Sequence, residues 1–267
     1  MKKPEFAGTW ALVTGASSGL GAEFAKQLAH RGVNLLLTAR SRDKLTRFAA
    51  DLARVNGVAT HALIADLAEP GGARALLAEV DALGVHVSHV INNAGFGSTG
   101  AFATSDAEAE ARMVRLNAEA VVSIARHFLP RLLGRNEGGL IQVASTAGFQ
   151  PTPFMATYGA SKAFVLSFTL SLAEEVRGTQ VRVTALCPGP VPTGFQEAAG
   201  IHPSGLLKLT RLEAPAVVEA ALDGYAAGRV IVVPGALNSL QTTAVRFLPR
   251  GLVVRAARWT MQGLGRG

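Results

Sequence analysis

Seven short apolar runs, separated by longer stretches of helical periodicity, constrain this 267-residue chain more than any other feature. They lie at about 9–14 (TWALVT), 33–39 (VNLLLTA), 58–65 (VATHALIA), 87–92 (VSHVIN), 139–145 (GLIQVAS), 180–186 (QVRVTAL) and 229–234 (RVIVVP). Runs this uniformly apolar are buried on both faces, as in a parallel sheet covered by helices. Between them Leu20, Phe24 and Leu28 recur at helical spacing, as do Phe164, Phe168 and Leu172. Met113, Leu116, Ala120, Ile124 and Phe128 form a third stripe, which ends near Pro130. Such alternation predicts an α/β fold: one doubly wound parallel sheet of about seven strands, helices on both faces, right-handed crossovers. One domain over 1–235 is expected. From Pro188 to about Leu212 (PGPVPTGFQEAAGIHPSGLLKLTRL) the alternation breaks, and this stretch reads as an insertion or lid.

Composition narrows the setting. With 49% hydrophobic residues, 17% charged residues and 29 glycines, the chain suits a globular fold with tight turns. No apolar stretch approaches about 20 residues, so no transmembrane helix is expected. The start, Met1-Lys2-Lys3-Pro4-Glu5, lacks the apolar region of a secretory signal. The single Cys187 has no internal disulfide partner, and a cytoplasmic location is expected. The formal charge of +7 sits almost entirely in a tail: from Gly224 onward there are six arginines and no Lys, Asp or Glu. A nucleic-acid partner is not expected, because the rest of the chain offers no basic face interleaved with aromatics. The extension 236–267 is basic. Beyond Gly251, Leu252, Ala256 and Trp259 share one helical face, and Arg255, Arg258 and Gln262 another. The expected arrangement packs the short apolar stripe on the core with the arginines in solvent; contact with a partner subunit or anionic lipid is the alternative.

Two motifs carry chemistry. The first apolar run leads straight into TGASSGLG, where Gly15, Gly19 and Gly21 follow a G-x-x-x-G-x-G spacing. Gly15 permits a tight turn, Gly19 lets backbone approach a pyrophosphate, and Gly21 allows close helix–strand contact. Ser17 and Ser18 add hydroxyls, and the helix N-terminus adds free N–H groups for an anion; the bland alternative is a plain β–α turn. After the second run stands Leu37-Thr38-Ala39-Arg40, with no acid to hold a ribose 2′-hydroxyl. Arg40 suits a 2′-phosphate or is a solvated strand cap, and the missing acid favours NADP(H) over NAD(H). Asp66 is either an acceptor for the adenine amino group or a helix N-cap ahead of Pro70. In YGASK, Tyr158 and Lys162 lie one helical turn apart, as a surface pair or as a phenol tuned to move protons. A free tyrosine titrates near ~10, so proton exchange at neutral pH calls for a fixed cation nearby.

The order and spacing of these motifs resemble the short-chain dehydrogenase/reductase family in its single-domain form, over residues 7–235. The matching residues are TGASSGLG (14–21), Asp66, NNAG (92–95), Asn117, Ser145, Tyr158-x-x-x-Lys162 and Pro188-Gly189. AEFAKQLAHRG, LTARSRDKL and NNAGFG look most like bacterial, broadly described NADP-dependent reductases. The resemblance implies a Rossmann fold and a nicotinamide-dependent interconversion of a carbonyl and an alcohol. Tyr158 would be the acid/base, and Lys162 would bind the nicotinamide ribose and lower the phenol's pKa. Ser145 would hold the substrate oxygen, and Asn117 would anchor a relay water. Ser17, Ser18 and Leu20 would lie at the cofactor with the glycines. Asn93, Ala94 and Gly95 would border the adenosine ribose, with Arg40 and Leu67 near the adenine. Pro188, Gly189, Val191 and Thr193 would meet the carboxamide end. The small residues inside YGASK would leave room for the nicotinamide. A homo-oligomer is implied as well.

Phe96, Phe149, Phe154, Met155 and Phe195, with Leu206, Leu207 and Leu209, flank these motifs. They form an apolar substrate pocket or simply core and lid packing. No metal-ligand cluster is expected from the six histidines, and Cys187 reads as core. Two other functions compete with the reductase: a non-catalytic dinucleotide sensor on the same fold, and an epimerase acting on nucleotide sugars. The four residues Asn117, Ser145, Tyr158 and Lys162 disfavour the first, and the glycine spacing disfavours the second.

Overall fold

The computed structural model describes residues 6–192 and 210–261. All seven expected strands form one sheet: β1 (Trp10–Thr14), β2 (Asn34–Ala39), β3 (Thr60–Ile64), β4 (Val87–Asn92), β5 (Gly139–Val143), β6 (Arg182–Leu186) and β7 (Ile231–Val232). Their order is β3-β2-β1-β4-β5-β6-β7, and every pair is parallel. The direction of winding reverses between β1 and β4. That is the topological switch point, outside whose strand ends α/β proteins place their ligands.

Helices α1 (Gly19–His30) and α2 (Arg42–Asn56) cover one face, joined by α7 (Ala214–Ala226). Phe24, Leu28, Leu45, Val217 and Tyr225 fill that side of the core. Helices α3 (Gly72–Ala82), α5 (Ala120–Arg135) and α6 (Ala156–Glu175) cover the other, where Leu76, Ile124, Phe128 and Leu172 meet the sheet. Because helices lie on both sides, strands β4, β5 and β6 are buried at every position. This is why their sequences run apolar instead of alternating.

One expectation changes outright. Helix α4 (Ala107–Val114) continues through a π-turn, Arg115–Glu119, directly into α5, and α5 runs through Pro130 instead of ending there. Proline lacks the N–H that would bond Arg126 and normally stops a helix, but the packed stripe of Ile124, Phe128 and Leu132 outweighs it. Pro130→Ala should therefore raise stability by about 1–3 kcal/mol in urea unfolding; a loss would mean that proline's restriction of the unfolded chain dominates. The stripe Phe164–Phe168–Leu172 reaches the core through Phe168 and Leu172 but not through Phe164. Phe164 is exposed and stacks on half-buried Phe168 at 5.8 Å, while α6 buries Tyr158, Ser161, Lys162, Val165 and Leu166. As for the expected lid, only its ends, Pro188–Pro192 and Thr210–Leu212, lie within the described residues.

Candidate active site

A cavity of roughly 350 Å³ opens at the carboxyl ends of the strands, over the switch point. Its base is the turn after β1. Gly15 and Gly19 hold left-handed φ angles of 66° and 55°, which side-chain-bearing residues adopt at a cost. A Cβ on Gly21 would lie 2.2 Å from the Gly15 carbonyl oxygen, so that glycine serves helix–turn contact and does not itself line the cavity. Ser18 caps α1 without using its hydroxyl. The first-turn N–H groups and the Ser17, Ser18, Gly19 and Leu20 surface therefore face the cavity with an anion-binding helix end. Across the switch point Thr14 stitches β1 to β4. Its hydroxyl oxygen accepts from Asn93 N–H and Ala94 N–H, both at 2.9 Å, and Asn93 Nδ2 donates to the Thr14 carbonyl at 2.8 Å.

One end of the cavity is polar and open. Arg40 is exposed at its rim and makes no hydrogen bond or ion pair among the described residues. Beside it stands Thr38, which sequence reasoning passed over. Its Oγ1 is buried, lines the same cavity and has no hydrogen-bond partner. A hydroxyl at the last turn of β2 was the available signal. Asp66 also lines the cavity, but its carboxylate is engaged: Oδ1 accepts from Ala68 N–H at 2.9 Å and Oδ2 from Arg112 at 2.8 Å. Arg112 also pairs with Glu69, and the two carboxylates raise its pKa further. Asp66 does not cap α3, whose N-cap is Gly71.

The opposite end holds the hydroxyls of Ser145 and Tyr158. Ser145 follows β5, caps a short 3-10 turn by accepting from Ala147 N–H at 3.1 Å, and hydrogen-bonds the Tyr158 phenol. Burial raises the phenol's pKa, and the Ser145 contact partly opposes that. Lys162 is equally buried. Its Nζ donates to the Val143 carbonyl at 2.8 Å and sits 5.9 Å from the Tyr158 ring centroid. Desolvation lowers the ammonium's pKa to about 8. The expected lowering of the phenol by Lys162 is thus not expressed in this geometry. The ammonium is turned to the backbone instead.

Asn117 does not line the cavity. The π-turn places it behind Phe96, where Nδ2 donates to the Phe96 carbonyl (2.9 Å) and to Ser161 Oγ (3.0 Å), and Oδ1 accepts from Phe96 N–H (3.2 Å). A π-turn inserts one extra residue in the helical ladder and commonly marks a functional position. Two of the small residues of YGASK also pack within the fold. A Cβ on Gly159 would lie 1.9 Å from Thr152 Oγ1, and Ser161 donates to the Tyr158 carbonyl at 2.7 Å while holding Asn117. Gly95 is the glycine that does keep space here: a Cβ there would reach 3.0 Å from Asn117 Oδ1 and 3.3 Å from Lys162 Nζ.

Leu67, Ala94, Gly95, Pro188, Gly189 and Val191 also line the cavity, whereas Thr193 lies outside the described residues. Of the apolar candidates, Phe96 and Met155 line it; Phe149 borders a separate cleft, and Phe195, Leu206, Leu207 and Leu209 lie outside the described residues. Phe154 holds a left-handed φ of 66° in the loop before Tyr158. Cys187 is buried with its thiol pushed up to about 12, as a core residue.

A parallel doubly wound sheet with a glycine turn, a free helix N-terminus and a cavity at its switch point defines a dinucleotide-binding α/β protein. The chain belongs to the short-chain dehydrogenase family, whose model matches residues 9–202. A very-long-chain 3-oxoacyl-CoA reductase of Phaeosphaeria nodorum is 36% identical over 182 residues, covering 66% of this chain and 53% of that relative. The chain therefore spans about half the length of that protein. A short-chain dehydrogenase from Sphingobium yanoikuyae, solved in complex with NADPH, is 34% identical and superposes with a TM-score of 0.80 over 91% of this chain and 94% of its own. One from Burkholderia phymatum, in complex with NAD, is 30% identical with a TM-score of 0.79, covering 90% and 93%. This protein is accordingly an oxidoreductase of that family with a nicotinamide dinucleotide site.

Proposed function

We propose that the protein is an NADP(H)-dependent reductase of apolar ketones or aldehydes, working reversibly on the corresponding alcohols. The observation that carries this is the meeting, in one cavity, of the Ser145–Tyr158 hydroxyl pair with the glycine turn and Arg40. The residues fit the dinucleotide. The glycines leave the turn without side chains, α1 offers free N–H groups, and the Thr38 hydroxyl and Arg40 guanidinium stand unpartnered at the end where a 2′-phosphate would lie. When bound, the cofactor supplies or accepts the hydride.

The chain's own groups do the rest. Ser145 donates a hydrogen bond to the substrate oxygen and holds it against the phenol. Tyr158, its pKa raised by burial, is protonated at neutral pH and gives its proton to that oxygen as charge develops. Lys162 brings a positive charge beneath the ring, and Asn117 braces the Phe96 segment and α6 through Ser161. Phe96 and Met155 give the substrate end an apolar wall, with no cation except Lys162 near the hydroxyls among the described residues. That selects neutral substrates over keto acids or phosphorylated ones.

The test is oxidation of NADPH and NADH against a panel of alkyl, aryl and steroid-type ketones beside charged keto acids. Arg40→Ala should lower kcat/KM for NADPH by about 10- to 100-fold, the worth of a charge-assisted hydrogen bond, and leave NADH within about threefold. Equal loss with both cofactors would remove Arg40 from 2′-phosphate recognition. Equal turnover of keto acids and apolar ketones would overturn the substrate class.

A further inference from the structure

The C-terminal helices pack against expectation. Helix α8 (Ala236–Ala244) turns Asn238 and Thr242 into the protein and leaves Leu237 and Leu240 outside. Asn238 Nδ2 donates to the carbonyls of Thr210 (3.0 Å) and Pro234 (2.9 Å), so the inward face is held by hydrogen bonds, not by apolar burial. Helix α9 (Arg250–Met261) rests on Val253 and Ala257, and its expected core stripe, Leu252, Ala256 and Trp259, faces solvent instead. Leu240 is 66% exposed, Phe247 82% and Trp259 79%. Scattered exposed leucines are ordinary, but a helix that buries its polar face and shows its apolar one is not.

The segment's own charge is single-signed, although Asp223 of α7 shares a cleft with Arg246. Arg246, Arg250, Arg255 and Arg258 are all exposed, and the chain carries no acidic residue from Gly224 to its end. On α9, Arg255 and Arg258 share the outward half of the helix with Leu252 and Trp259. Apolar side chains that enter a headgroup layer beside arginines that meet its phosphates are the requirement for interfacial binding. A second copy of the chain fits poorly, because a self-complementary contact would set the arginine-rich segments of two copies against each other.

We propose that residues 236–261 dock the protein on an anionic lipid bilayer surface. The contact is peripheral: among the described residues no helix is long and apolar enough to cross a membrane. Helix α8 packs against the turn Thr146–Phe149 that follows Ser145, and the Arg246 guanidinium lies 5.7 Å from the Phe149 ring centroid. The docking segment therefore neighbours the turn that follows Ser145, and apolar substrates dissolved in the bilayer would approach the cavity from that side. Only this last step rests on the proposed reductase reading; binding to lipid does not.

Co-sedimentation of the full chain with vesicles tests the proposal without any turnover. The probes are phosphatidylcholine vesicles containing about one-third phosphatidylglycerol, and phosphatidylcholine alone. Binding is expected to the first and not the second, with a blue shift of tryptophan emission that Trp259→Phe abolishes and Trp10→Phe does not. The double change Arg255→Gln with Arg258→Gln should weaken partitioning by about 10- to 30-fold. Phe247→Ser with Trp259→Ser should weaken it at least as much, and both variants should keep wild-type turnover of a water-soluble ketone. Absence of binding to the anionic vesicles, or equal binding to both kinds, overturns the proposal. So does a dimer that becomes a monomer by light scattering in the Phe247/Trp259 variant without any vesicle binding, which would make the face an interface between copies.

Discussion

Replacing Tyr158 by phenylalanine is expected to lower kcat for carbonyl reduction by about three orders of magnitude, within the range of a lost general acid. The ring stays in its buried seat against Met113 and Met155, so packing is preserved and only the hydroxyl and its contact with Ser145 are lost. Stability should fall by no more than about 1 kcal/mol, the net worth of one hydrogen bond. NADPH binding, read by the change in its fluorescence, should hold within about threefold. Steady-state kinetics and that titration together separate chemistry from folding and from cofactor affinity. A variant retaining more than about a tenth of wild-type turnover would show that another group moves the proton. The pH dependence has a definite sign. Because burial raises the phenol's pKa, reduction proceeds from its ordinary protonated form and is flat near neutrality, while alcohol oxidation, which needs the phenolate, climbs with pH.

Lys162→Met should separate activity from stability. The ammonium is buried, and its pKa is lowered to about 8 from the ordinary 10.5, mainly by desolvation. A cation whose folded-state pKa is depressed is held at a cost below that value. Between about 8 and 10.5 the unfolded chain binds more protons than the folded one, so wild-type stability rises with pH across that window. The full window corresponds to about 3 kcal/mol, at roughly 1.4 kcal/mol per unit. Methionine carries no charge and has no such dependence. Relative to wild type, the variant should therefore be most favoured near pH 7 and lose that advantage by about 3 kcal/mol toward pH 10.5. Losing the hydrogen bond to the Val143 carbonyl offsets part of the gain at every pH. Turnover should fall by two to three orders of magnitude. Urea midpoints for both proteins at neutral and alkaline pH decide the matter. Parallel stability profiles would mean that Lys162 is not desolvated as this geometry requires.

The two groups explain each other's placement. Tyr158 and Lys162 occupy the buried face of α6, and both are shifted by the same loss of water. In the proposed reductase, a phenol held neutral beside a cation of lowered pKa would pass a proton in either direction.

Much of this was legible in the residues. Near-continuous apolar runs identified all seven strands, because a strand covered on both faces has no room for alternating polar residues. The glycine turn was legible because left-handed φ and contact at 2.2 Å tolerate no side chain. Periodicity defines a helix without saying where its buried face begins. Helix α6 buries Tyr158, Ser161, Lys162, Val165, Thr169 and Leu172 and exposes Ala156, Ala160, Phe164, Ser167 and Ser171, so the Phe164 stripe runs along the boundary and enters the core only at Phe168 and Leu172. Helix α5 passes through Pro130 because packing over two turns exceeds one missing hydrogen bond.

By itself, then, the chain's order of residues determined the layered sheet, the anion-binding turn and the set of groups that meet at the switch point, all of which follow from local sterics and from what a doubly covered strand can hold. The tertiary structure alone decided which way those groups face. Desolvation shifts Tyr158 and Lys162, a π-turn sends Asn117 behind Phe96, and Asp66 is taken up by Arg112. It also decided that α8 and α9 leave Leu237, Leu240, Leu252 and Trp259 outward. A helix's periodicity defines its faces but not which one meets the protein, and here hydrogen bonds from Asn238 settle α8 with its polar side in.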